Sequence, residues 1–177
     1  MYQFANTATL AEKYDWIDHR DPAFDLEGSG FTTTGEDPED QAEAKFYIAL
    51  CEALECKDQA RIKSWLKPGE QPTLWKLEHL SDDAMRYLSD AQQATGMINF
   101  SSRVCKEAAR LALVGVVNLT GPDGKPFEIA RTERHPVCGL HYVNEKPMRL
   151  LEKLEGGALL TRIGIQAMKA RTPQGNS

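Results

Sequence analysis

From Ser101 the chain sets apolar against charged positions at helical spacing. Val104, Ala108, Leu111, Ala112 and Gly115 share one side, and Arg103, Lys106, Glu107 and Arg110 share the other. Beyond Arg110 nearly every residue is apolar as far as Val117. The pattern therefore predicts a helix whose C-terminal half is covered on most sides. Gly121-Pro122-Asp123-Gly124 predicts a β-turn, because Pro presets φ and Gly accepts a positive φ. Phe127 and Ile129 alternate with polar residues and predict a short strand near 127–130. This stretch is the most apolar and best punctuated in the sequence, and it is expected in the core.

The remaining elements follow the same logic. Asp37-Pro38-Glu39-Asp40 is a helix start: Asp caps, Pro suits the first helical position, and the acids favour the positive end of the dipole. Ala42, Phe46, Ala49, Leu50 and Ala53 then form one helical face. Phe46–Leu50 also reads as a buried strand, since short apolar runs are ambiguous by period alone, and the helix is the expectation. The runs at 61–66 and 73–80 flank Lys67-Pro68-Gly69-Glu70-Gln71-Pro72, which predicts a hairpin near 61–80. Ser81 caps a helix carrying Met85, Leu88 and Ala91 that ends at Gly96. Residues 130–143 read as irregular. Asn144 caps a helix bearing Met148, Leu151 and Leu154, Gly156-Gly157 interrupts it, and a last helix turns Leu160, Ile163 and Ala167 inward. Residues 1–36 show no sustained period and read as an extended arm; residues 172–177 read as a frayed tail. The expected fold class is α+β: one mostly helical domain over 37–171 with a small antiparallel sheet and an acidic N-terminal arm.

Charge sharpens the picture of the arm. Over 177 residues the net charge is −5, yet residues 1–43 carry eleven Asp/Glu against two Lys/Arg, a balance of −9, which leaves the rest at +4. Such a distribution argues against a general nucleic-acid binder, since phosphate binding needs a concentrated positive surface. No apolar run reaches membrane-span length. The first residues lack a basic stretch followed by an apolar one, so no signal peptide is expected and the reading is cytosolic. The four cysteines, Cys51, Cys56, Cys105 and Cys138, are then expected to be reduced, with Cys51 and Cys105 packed as small hydrophobes.

Candidate chemistry is sparse. His135, Cys138 and His141 offer imidazole and thiolate ligands that Cys51 and Cys56 could in principle complete, but the spacing matches no standard zinc site and an ordinary loop is expected. Asp15, Asp18 and Asp21 with His19 imitate a carboxylate metal cluster, which would need rigid elements to converge them. Cys105 with a histidine could pose as nucleophile and base, yet no nucleophile motif surrounds it and a packed thiol is expected. No phosphate loop, dinucleotide fingerprint or nucleophile elbow is present. We therefore expect no enzymatic activity, no metal and no cofactor. Trp16, Asp18, Phe24, Trp65 and Trp75 are the candidate partner contacts; the aromatic ones serve a core equally well, because large aromatic side chains dominate both settings.

One pattern goes further. Arg110-Leu-Ala-Leu-Val-Gly-Val-Val-Asn118, followed by Gly121-Pro-Asp-Gly-Lys-Pro-Phe127, resembles a segment of small tail proteins of tailed bacteriophages of the tail-assembly-chaperone type. In those a helix ends in a Leu-Val-Gly-Trp-x-Asn run, and an Asp-Gly-Lys-Pro turn leads to a short strand and C-terminal helices. Thr73-Leu-Trp-Lys-Leu-Glu-His-Leu-Ser81 with the helix after it resembles their strand-then-helix module, so the likeness covers roughly residues 73–170. Val116 stands where the Trp is common. The resemblance implies a non-enzymatic factor in the host cytoplasm that binds other phage proteins of the tape-measure or tail-tube type by covering apolar helices. It implies no nucleic acid and no membrane, and is compatible with a homo-oligomer. Two alternatives stand beside it: a virion structural component such as a minor tail, connector or baseplate protein, and a small acidic inhibitor of a host protein.

Overall fold

A computed structural model of the chain describes residues 13–31, 38–96 and 101–169. The tail at 172–177 and, within the expected arm, residues 1–12 and 32–36 lie outside the described residues. In chain order the elements are β1 (Lys13–Ile17), α1 (Pro38–Glu55), α2 (Gln59–Ser64), β2 (Leu74–Glu78), α3 (Asp82–Gln93), α4 (Ser102–Ala112), β3 (Leu113–Val117), β4 (Glu133–Arg134), β5 (His141–Tyr142), α5 (Glu145–Leu151), a 3-10 turn (Leu154–Gly157) and α6 (Ala158–Lys169). One sheet has the order β1-β2-β3, and β4 and β5 form an antiparallel pair with Glu133 opposite Tyr142 and Arg134 opposite His141. The α+β class is as expected. The described residues divide into two compact units; one draws on the ranges 15–76 and 115–129, the other on 77–114 and 130–169 with residues 13–14.

The core of the first unit is built on Phe46 of α1, which is fully buried. Phe24, Phe31 and Trp65 meet its ring edge to face, with centroids at 4.9, 5.0 and 5.5 Å. Ile17, Ala49, Leu50, Ala53 and Ile62 complete the cluster's buried residues. This places residues 13–31 inside the fold and corrects the expectation of a free arm. The amide of Asp25 donates to the carbonyl of Trp65 at 2.9 Å, and the amide of Lys67 donates to that of Ala23 at 2.9 Å. Acidic composition hid the apolar residues that bind this segment down. The expected hairpin near 61–80 is also corrected. Asp58 caps α2 by accepting from the amide of Arg61, and Trp65 closes its C-terminus, so the first run is a helical turn and only the second is a strand. No strand forms near 127–130. Instead the amide of Phe127 returns to the carbonyl of Leu119 at 2.8 Å, and Thr120 bridges Pro126, closing the expected turn on itself.

In the second unit α3, α4 and α6 pack around Ala84, Leu88, Val104, Cys105, Ala108, Leu111 and Met168. Ser81 and Ser101 cap α3 and α4, each accepting from the amide three residues on at 3.2 Å, as their sequences predict. The double glycine breaks the chain between α5 and α6 with positive φ at Glu155, Gly156 and Gly157. The expected continuation of α4 through the apolar run does not occur: Leu113 turns extended and the run becomes β3. Three of its five residues are valines, whose branching suits a strand. The carbonyls freed at the helix end are satisfied from the 130–144 segment, by the Val143 amide on Arg110 (2.9 Å) and the Arg131 guanidinium on Leu111 (2.9 Å).

α6 approaches the backbone of α4 closely at Gly164. A Cβ there would lie 1.8 Å from the carbonyl oxygen of Cys105, which is backbone and cannot rotate away. Gly164→Ala is therefore expected to force the helices apart and cost about 3 kcal/mol of stability, read as a lower urea midpoint. Gly115→Ala is the control: its Cβ would meet only the Lys76 side chain at 3.5 Å, an ordinary contact, and the change is expected to stay within about 1 kcal/mol. Equal effects at the two sites would contradict the close crossing.

Candidate functional site

Because α4 spends its apolar side on α3 and α6, its charged side is what remains. Arg103, Lys106, Glu107 and Arg110 sit three and four residues apart on that face, as the sequence predicts. Opposite them stand Glu145 and Met148 of α5 and Glu152 just beyond it. With Ser102 these residues line an open groove of about 400 Å³. Three cations and three carboxylates line it, and two ion pairs, Lys106–Glu152 and Arg110–Glu145, join α4 to the residues opposite. Arg110 Nη2 lies 3.2 Å from Glu145 and 3.9 Å from Glu133, Lys106 Nζ lies 3.9 Å from Glu152, and Glu107 holds His135 Nε2 at 2.9 Å. Arg110 also donates through Nε to the Val143 carbonyl at 2.8 Å and lies 4.0 Å above the ring of Tyr142.

His135 is buried behind the groove. Its ring packs on Tyr87 and Tyr142 with centroids at 4.6 and 5.6 Å. Nδ1 accepts from the amides of Val137 (3.2 Å) and Cys138 (3.3 Å), so the proton sits on Nε2, which donates to Glu107. Both nitrogens are thus engaged within the chain. His141 is exposed on β5 and Cys138 half-buried in the loop between the strands. Among the described residues no group of three or more His, Cys, Asp or Glu is arranged to hold a metal ion. Cys105 is fully buried, and burial pushes its thiol up, away from the thiolate a nucleophile needs.

The five expected partner contacts are all buried within the chain: Trp16 on β1, Asp18 and Phe24 after it, Trp65 after α2, and Trp75 on β2. This corrects their assignment, because a side chain committed to the interior offers no surface to a partner. Nor do the arm's acids converge. Asp15 is exposed, while Asp21 spends its two oxygens on the amides of Ala23 (2.9 Å) and Thr73 (2.8 Å). Asp18 Oδ1 accepts from the Arg20 amide at 3.2 Å and lies 3.4 Å from His19 Nδ1. Beyond the ring, His19 Nε2 meets Glu43 Oε1 of α1 at 2.8 Å, and the Arg20 guanidinium joins the same oxygen. Neither this cluster nor the Glu107–His135 pair was legible beforehand, since each joins residues more than twenty positions apart with no motif between them.

Compared with protein-family models, curated proteins and solved structures, the chain matches none. No described helix is long and apolar enough to cross a membrane.

Glu43 yields a pH prediction. Burial acts to raise its carboxyl, but the hydrogen bonds and charges of Arg20 and His19 outweigh this and hold it below the usual carboxylate range. A depressed folded value means stability that is present above the unfolded pKa of about 4.3 and is lost as pH falls through the lower folded one. Glu43→Gln is expected to lower stability by about 1 kcal/mol near neutral pH, and the gap should close below about pH 4. Urea midpoints across pH measure it; a gap that widens in acid contradicts the assignment.

Proposed function

We propose that the protein is a non-enzymatic phage protein that binds other phage proteins during tail assembly, in the manner of a tail assembly chaperone. One observation carries this reading: the element order over the region of resemblance. β2 leads into α3; α4 runs into the Leu113-Val-Gly-Val-Val117 segment; the turn at 121–124 follows, and α5 and α6 close the chain. The order departs in one respect, since the strand precedes the turn where the resemblance implies one after it. The paired charges of the groove and the packed Cys105 thiol support binding over turnover. The partners are proteins of the tape-measure or tail-tube type, met in the host cytoplasm.

The test is co-expression of the tagged chain with each tail protein encoded beside it. A complex with the long helical tape-measure-type protein, together with absence of the chain from purified virions by mass spectrometry, is the expected result. A chain present at fixed stoichiometry in mature particles makes it a virion component instead. Association with neither tail protein removes the tail-assembly reading.

A further inference from the structure

We propose that His135 is a proton-operated latch for the tip of the β4–β5 hairpin. The tip, Pro136-Val137-Cys138-Gly139, turns back over its own histidine, whose Nδ1 accepts from the Val137 amide at 3.2 Å and the Cys138 amide at 3.3 Å. The ring is held from behind by Glu107 at Nε2 (2.9 Å) and between Tyr87 of α3 and Tyr142 of β5.

Proton uptake at Nδ1 turns an acceptor into a donor. Three N–H groups then converge where two shared a lone pair, and both tip hydrogen bonds are lost. The ion pair with Glu107 strengthens at the same moment, because a carboxylate binds imidazolium better than imidazole. The ring therefore stays on α4 while the tip leaves it. Bonds that do not involve the ring persist: Gly139 amide to His135 carbonyl (2.8 Å), His135 amide to Leu140 carbonyl (2.8 Å), and the Arg134 guanidinium to the Gly139 carbonyl (2.9 Å). The change is thus confined to Val137, already 74% exposed, and Cys138, whose side chain packs on the α3–α4 cluster.

The other charged and titratable groups around the ring are fixed. Arg110 of α4 lies over Tyr142, and Arg103 of α4 acts on Tyr87. Burial first, then the charges of Glu107 and Cys138, push the Tyr87 hydroxyl up, so it keeps its proton throughout. Glu107 is the one carboxylate paired with the ring among the described residues.

Amide hydrogen exchange in the full-length chain, expressed as protection relative to the unstructured rate at each pH, tests the latch. Protection at Val137 and Cys138 is expected to fall about tenfold, the scale of a lost hydrogen bond, as the pH is lowered and the ring takes up its proton. His135→Asn keeps an acceptor near the Nδ1 position without a titrating group, and its protection is expected to stay level. Glu107→Gln removes the carboxylate and is expected to move the step to lower pH. Level protection in the wild type, or the same step in His135→Asn, overturns the proposal. Nitrogen NMR of the wild-type ring gives a reading independent of any variant: the Nε2–H tautomer at high pH supports the latch and the Nδ1–H tautomer refutes it.

Discussion

Two helices meeting backbone to backbone set the plan of the unit that carries the groove. At Gly164 there is no room for even one carbon between α6 and the carbonyl of Cys105. Such an approach needs small residues on the facing side, and α4 supplies Cys105, Ala108, Ala109 and Ala112, all fully buried. Stability comes from packing density, since close helices bring many atoms into van der Waals range at once. The consequence for the surface is direct. With α6 on one side and α3 on another, α4 keeps a single free face, and the sequence placed every one of its long charged residues there. The groove is a corollary of how the helix is buried.

A second constraint governs the 130–144 segment, which packs Cys138, Leu140 and Tyr142 against the helices and is also held to them by polar contacts. Two arginines tie it to the helices. Arg131 reaches the Leu111 and His141 carbonyls and the Glu78 carboxylate; Arg110 reaches the Val143 carbonyl, Glu145 and Glu133. Guanidinium suits this work because its planar fork spans several acceptors and stacks on a ring. Asn144 shows the same economy. It precedes α5, as expected of a cap, but its side chain makes no cap hydrogen bond; its oxygen accepts from the amides of Thr132 and Glu133 (2.9 and 3.2 Å) and its nitrogen donates to the Thr132 hydroxyl. A cap residue read from sequence alone can be diverted to a strand it has no way of announcing.

What could be read in advance was local. Ser81, Ser101, Pro38 and the Gly156-Gly157 break act through their own neighbours, and each marks the element boundary it promised. What could not be read depended on distant partners. The Leu113–Val117 run satisfies helical and strand patterns alike; α4 ends before it because Val143 and Arg131 take the last carbonyls from beyond position 130. The run at 61–66 has the apolar content of a strand, and the Asp58 cap decides for a helix. The segment after β1 looked solvated because acids dominate it, while Phe24 and Phe31 in fact close on Phe46. In the groove, the α4 charges followed from spacing, but their partners on α5 and in the hairpin did not.

The burial of the expected aromatic contacts changes how the proposed binding would have to work. With Trp16, Phe24, Trp65 and Trp75 spent on the interior, the exposed large apolar residues among those described are Ile48 on α1, Val117 at the end of β3 and Val137 at the hairpin tip. Single exposed residues of this kind are ordinary on a protein surface and make no greasy patch. A partner docking on the groove face therefore meets charged side chains, several of them already paired within the chain. To bind there it must replace internal ion pairs with better-placed ones. Exposed pairs contribute little each, so the exchange costs little, and specificity comes from geometry and sign more than from buried area. On the proposed reading, association at that face would be reversible, as suits a factor that holds a protein for a time and then lets it go.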